Sequence, residues 1–81
     1  MLKEQTWLEN GKIVAYSLVY INLNRCFVDN GRVLGYDNRH GYHHRHCMGK
    51  IEPIVFSNYE SLARRFYKEV RELWRKEDEE E

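Results

Sequence analysis

The chain has 81 residues, 42% hydrophobic and 14% aromatic, with two cysteines, 13 Lys and Arg, and 13 Asp and Glu. That length holds one domain whose core is near the lower limit for independent stability. No apolar run approaches the roughly 20 residues of a membrane helix, the charged start Met1-Leu2-Lys3-Glu4-Gln5 offers no signal region, and two cysteines cannot frame a disulfide scaffold. A cytoplasmic protein with reduced thiols and no membrane contact is expected.

The zero net charge hides an asymmetry. The last five residues, Glu77-Asp78-Glu79-Glu80-Glu81, are all acidic, so residues 1–76 carry every Lys and Arg but only eight acidic groups, a surplus of five positive charges. We expect a single α+β domain over residues 1–76 and an acidic tail over 77–81. The body is basic enough to attract a polyanion.

Two Asn-Gly pairs punctuate the first half. Asn10-Gly11 joins Thr6–Glu9 to Lys12–Tyr20, and Asn30-Gly31 joins Cys26–Asp29 to Arg32–Tyr36. Asn-Gly favours a type I′ turn, in which both central residues take positive φ, and β-branched and aromatic neighbours make each pair read as a hairpin. Asn22-Leu23-Asn24 links the two, or else bends one long strand running from Ile13 towards Val28. Residues 13–21 are apolar almost throughout, which predicts a central strand covered on much of both faces. Ile51–Phe56 supplies one more short strand, with Pro53 at its start or on an edge because it cannot donate to a ladder.

Ser57-Asn58-Tyr59-Glu60 fits a capping box with Ser57 as N-cap and Glu60 at N3. Leu62, Phe66, Val70, Leu73 and Trp74 then recur at helical spacing, so a helix should run from about Asn58 to about Lys76 and bury that stripe. The fold predicted is α+β: an antiparallel meander of four to five strands with one long C-terminal helix packed on it.

All four histidines fall between His40 and His46, in the run Gly35-Tyr36-Asp37-Asn38-Arg39-His40-Gly41-Tyr42-His43-His44-Arg45-His46-Cys47. The run keeps neither a strand nor a helix period and passes Gly41, so its polar groups should be displayed at a strand end and on the loop after it. Histidine is the side chain whose ordinary pKa lies near neutrality. Two imidazoles can share the proton transfers of RNA cleavage, one as base and one as acid. An arginine fork can stabilise charge on a phosphate, and tyrosine rings can stack on unpaired bases. The catalytic candidates are therefore His43, His44, Arg45, His46 and Asp37. The candidates for holding substrate are Tyr36, Asn38, Arg39, His40 and Tyr42. If residues 43–46 are extended, His44 and His46 share one side, which favours them as the acid–base pair, with Arg45 on the phosphate and Asp37 orienting an imidazole.

No cofactor or metal is expected. The competing metal reading takes His40, His43 or His44, His46 and Cys47 as zinc ligands, but the spacing matches no common finger and the arginines oppose a cation. A third reading is a non-catalytic module that binds nucleic acid or a partner protein.

The run Gly31-Arg32-Val33-Leu34-Gly35-Tyr36-Asp37-Asn38, then His43-His44-Arg45-His46, Glu52, Ser57, Leu62, Phe66 and Glu69-Val70, resembles the TumE-like family of small bacterial and archaeal proteins over about residues 12–73. The family hallmark falls on Tyr36, Asp37, Asn38, His43, His44, Arg45 and His46. The resemblance implies the toxin of a type II toxin–antitoxin module, an endoribonuclease of the mRNA-interferase kind, with RNA as substrate and a helix-turn-helix antitoxin as partner; whether it forms a homodimer is left open. Two features depart from the family pattern: the short link Asn22-Leu23-Asn24, where members often have a longer connection, and Cys47 directly after the histidine run.

Overall fold

A computed structural model describes residues 1–79. Five strands form one antiparallel sheet in chain order: β1 (Leu2–Glu9), β2 (Lys12–Ile21), β3 (Arg32–Asp37), β4 (His44–Cys47) and β5 (Lys50–Pro53). One helix, α1 (Tyr59–Glu79), crosses a single face of the sheet. This is the expected meander with its C-terminal helix. Among the described residues no helix is long and apolar enough to cross a membrane.

Period-two alternation sorts the strands into two faces. Tyr16, Leu18 and Tyr20 of β2 and Leu34 and Tyr36 of β3 are buried together with Leu62, Phe66 and Val70 of α1, and Leu73 packs at the margin of that cluster. The Tyr36 and Phe66 rings meet edge to face at 5.4 Å, a favoured aromatic geometry. β3, not β2, occupies the middle of the sheet. The N-terminal part of β2, Lys12–Val14, is exposed, so the apolar run over 13–21 is covered only in its second half. Among the described residues no helix or second sheet covers the far face.

The turns differ from expectation at one of the two Asn-Gly pairs. Asn10 and Gly11 both take positive φ, 52° and 77°, and close the β1–β2 hairpin as predicted. Asn30-Gly31 does not join two strands, because Cys26–Asp29 are not a strand. Asn22 folds the chain back on itself: its carbonyl accepts from the Arg25 and Cys26 amides at 3.1 Å each, and its side chain accepts from the Asn24 amide at 3.0 Å. Cys26 then turns inward and is buried, while Phe27 is left 90% exposed. The Asn-Gly pair lies in a 3-10 turn, Asp29–Gly31, that returns the chain to β3. Residues 22–31 thus form the connection between β2 and β3, far longer than the three-residue link expected. A hairpin with no Asn-Gly signal does form at Met48-Gly49, where φ is 51° and 86°.

The helix N-cap is Asn58 rather than Ser57, since Asn58 Oδ1 accepts from the Ser61 amide at 2.8 Å. Both residue types cap well, and the helix begins one residue later than the capping-box pattern implied. At its other end α1 continues through Glu79. Glu77 accepts from the Tyr20 hydroxyl at 2.8 Å and from the Asn22 amide at 3.1 Å, which ties the start of the acidic segment to β2. Glu80 and Glu81 of the predicted tail lie outside the described residues.

Candidate active site on the open sheet face

β3 and β4 pair so that Asp37 stands opposite His44 and Gly35 opposite His46. This register projects Asp37, His44 and His46 from one face, the one that α1 does not cover. His44 Nε2 is 2.8 Å from Asp37 Oδ1, and His46 Nε2 is 3.4 Å from Asp37 Oδ2. The two rings meet edge to face at 4.7 Å. His44 Nδ1 lies 3.1 Å from the Tyr42 carbonyl oxygen. Both nitrogens of His44 therefore face oxygen atoms. His46 has looser partners, with Nδ1 at 3.7 Å from Asp29 Oδ2. Burial, then the nearby Arg32 charge, hold the His46 pKa below its ordinary value. Among the described residues no buried side-chain nitrogen or oxygen lacks a partner.

Arg32 reaches this face because the β2–β3 register shifts between Tyr20 and Ile21. Its side chain lies over Gly35, where an added Cβ would come within 2.7 Å of Arg32 Cδ. Arg32 Nε and Nη2 donate to the two oxygens of Asp29 at 2.7 and 2.8 Å, a bidentate fork. That fork is the chief reason the Asp29 carboxyl is held below its ordinary pKa. Arg32 Nη1 remains 3.8 Å from Asp37 Oδ2. The Arg39 amide donates to Asp37 Oδ1 at 3.0 Å, and the Arg39 side chain is exposed. Arg32, Asp37, Arg39, His40, Tyr42, His44 and His46 line a cavity of about 190 Å³. It shares Arg32, Asp37 and Arg39 with a wider concavity of about 410 Å³ that reaches Lys3 and Ser17.

The histidine run is thus partly strand. Of the residues singled out in the sequence, the open-face cavity gathers Asp37, His44 and His46, with Arg39, His40 and Tyr42 at its walls; the Tyr42 ring lies 4.7 Å from that of His44. The others are placed elsewhere. Arg45, one residue along β4, points to the helix face, where Nη2 meets Glu69 Oε2 at 2.6 Å and Nη1 meets Glu52 Oε1 at 3.0 Å. Tyr36 is fully buried on that face and its hydroxyl donates to Glu69. His43 Nδ1 is 2.7 Å from the Tyr16 hydroxyl, and its ring stacks on Phe56 at 3.9 Å. Asn38 spends its amide on β2, accepting from the Tyr16 N–H at 3.1 Å and donating to the Val14 carbonyl at 3.0 Å. Sequence reasoning missed Arg32 and Asp29. The signal that could have found Arg32 is a glycine inside a strand, which often marks a close approach.

The zinc ligand set read from the sequence is not gathered. Cys47 packs against the helix-side core, His43 is committed to Tyr16, and His40 sits exposed at a turn. The set that could hold a cation is Asp37, His44 and His46, whose donor atoms lie within 4.8 Å of one another.

A five-stranded meander backed by one helix, with two imidazoles and a carboxylate recessed into one face beside Arg32 and Arg39, defines a small α+β protein. The family model described as Toxin TumE matches residues 2–74. The chain belongs to the TumE toxin family and is the toxin of a toxin–antitoxin module, with an antitoxin as its partner. No curated protein and no solved structure matches it.

Proposed function

We propose that this toxin is a metal-independent endoribonuclease that works at the Asp37–His44–His46 cluster. The observation that carries the reading is one of placement: two imidazoles share the uncovered face of β4, and the carboxyl of Asp37 lies within 3.4 Å of both. His46, the less tightly held ring, takes the proton from a ribose 2′-hydroxyl. The 2′-oxygen then bonds to the adjacent phosphorus as the bond from phosphorus to the 5′-oxygen breaks. His44, fixed by Asp37 and the Tyr42 carbonyl, gives a proton to the departing 5′-oxygen. The products are a 2′,3′-cyclic phosphate and a free 5′-hydroxyl. Arg32 and Arg39 line the cavity and offset charge on the phosphate, the part first expected of Arg45. Tyr42, half exposed beside His44, offers a ring to the neighbouring base. The substrate is cellular RNA in the cytoplasm, and the antitoxin is a helix-turn-helix protein.

The test is cleavage of RNA by the purified toxin in excess chelator, with the product ends identified. Cleavage leaving cyclic phosphates, nearly abolished in His46→Ala and retained in His43→Ala, supports the reading, since one acid–base group typically contributes about 10²–10⁴-fold. Cleavage that stops in chelator and returns with a divalent ion replaces it with metal-assisted hydrolysis. RNA binding without cleavage under any condition leaves a binding module.

A further inference from the structure

The contacts that orient His44 and His46 for proton transfer are also those of a half-built metal site. Both rings turn Nε2 toward the same carboxyl group, at 2.8 Å and 3.4 Å from its two oxygens. Ligands bonded at about 2.0–2.1 Å to a tetrahedral zinc ion are themselves about 3.3 Å apart; one donor atom from each of the three residues lies within 4.8 Å of the others, so the rings must draw in to close around one ion. The His44 ring is already held from behind, its Nδ1 3.1 Å from the Tyr42 carbonyl, and His46 Nδ1 faces the Asp29 carboxyl at the longer distance of 3.7 Å. Metal-binding histidines usually have their second nitrogen engaged in this way, by a backbone carbonyl or a carboxylate. Asp37, His44 and His46 are all buried, which limits competition from water. The cavity of about 190 Å³ beside them leaves room for a fourth, non-protein ligand.

We propose that Asp37, His44 and His46 bind one zinc-class divalent cation, and that its binding switches the toxin off. The inhibitory half rests on the cleavage mechanism above; the binding half does not. Imidazole and carboxylate donors suit zinc better than magnesium or calcium, which prefer all-oxygen sets. The ion occupies the imidazole lone pair needed to accept a proton and the carboxyl needed to orient His44, so bound zinc and proton transfer exclude each other. Arg32, 3.8 Å from Asp37, opposes the ion. It sets the affinity low enough for zinc to be reversible rather than a permanent part of the fold, and Arg32→Ala is expected to tighten binding.

The experiment titrates zinc chloride into the metal-free full-length chain, follows heat and thermal unfolding, and repeats the titration with cobalt, whose absorption reports its ligands. Expected are one ion per chain, a rise in Tm on binding, and a cobalt spectrum with no thiolate charge-transfer band. His46→Ala and Asp37→Asn should each weaken binding at least tenfold, while the double variant Cys26→Ser, Cys47→Ser keeps it. The cobalt spectrum needs no variant, so the site remains testable if His46→Ala fails to fold. No binding, a thiolate band, or unchanged affinity in a folded His46→Ala would overturn the site. In the activity arm zinc should stop RNA cleavage and chelator restore it. Cleavage that continues with zinc bound overturns inhibition alone. If wild type cleaves nothing in either state, the ribonuclease reading and the inhibition fall together, while the site stands or falls on the titration.

Discussion

Arg45 and His46 are neighbours in the chain and face opposite sides of the sheet. Arg45 forms a fork on Glu69 of α1, with Nη2 at 2.6 Å, and reaches Glu52 of β5 at 3.0 Å. His46 lies across the sheet beside Asp37 at 3.4 Å. One strand thus clasps the helix with one residue and lines the cavity with the next. Arg45→Ala should therefore act on stability. Both partners are about one-fifth exposed, and Glu69 keeps the Tyr36 hydroxyl and Arg65 as partners, so the loss should be roughly 1–3 kcal/mol, the worth of a charge-assisted hydrogen-bonded pair. Urea unfolding measures the loss, and any RNA cleavage per folded molecule should stay within about twofold of wild type. A fully stable Arg45→Ala protein that has lost cleavage would return Arg45 to the catalytic set.

Gly35 and Arg32 make a second pair that can be tested. Adding a methyl at Gly35 places it 2.7 Å from Arg32 Cδ, so the arginine must leave its position over β3. Gly35→Ala should weaken the Arg32–Asp29 fork and lower cleavage by about the same factor as Arg32→Ala. A double-mutant cycle should show the two changes to be strongly non-additive. Independent, additive effects would mean that Gly35 serves another purpose.

Much of this organisation is legible in the sequence. Leu62, Phe66, Val70 and Leu73 announced their helix face, because only a 3.6-residue period joins them. The alternation along β4 told that His44 and His46 share a side. The same alternation sets Arg45 on the opposite side; the sequence joins it to the site because the run reads as a strand end and loop, whose polar groups could converge, rather than as a paired strand. Asn30-Gly31 misled because the same backbone preference that closes a two-residue hairpin also suits the end of a longer excursion, here one anchored by buried Cys26. Met48-Gly49 carried no Asn or Asp to mark its turn. Arg32 joined the site only through the shift in register at Tyr20 and Ile21, a feature that depends on strand pairing rather than on local sequence.

The core predicts a large effect from a small change. Leu62 is buried on α1 beside Phe66 and Val70. Leu62→Ala should cost about 2–5 kcal/mol, a large part of the ~5–15 kcal/mol that holds a domain folded. Thermal unfolding should show a lowered Tm, and the antitoxin, by binding the folded state, should recover part of the loss. A change under 1 kcal/mol would mean that α1 is not docked through this stripe.

The tyrosines predict how the fold responds to alkali. Burial, and secondarily the charge of Asp37, push the Tyr16 hydroxyl up to about 12 from its ordinary 10.0. Tyr59 is raised by burial and by its hydrogen bond to Glu4, and Tyr67 chiefly by its own bond to Glu4. A raised phenol favours the folded state fully while the unfolded chain keeps its proton. The stabilisation therefore persists below pH 10 and declines as the pH rises from 10 towards 12, because the unfolded state releases protons that the folded state retains. Glu4 behaves in the opposite sense. The hydroxyls of Tyr59 and Tyr67, at 2.5 and 2.7 Å, hold its carboxyl below the ordinary 4.5, so its contribution is present above that value and fades as the pH falls through the lowered one. The free energy of urea unfolding, measured from pH 3 to 11, should fall at both ends. Tyr16→Phe should flatten the alkaline limb and leave the acid limb alone, and Glu4→Gln should flatten the acid limb. Identical alkaline limbs in wild type and Tyr16→Phe would show that the Tyr16 proton is not linked to folding.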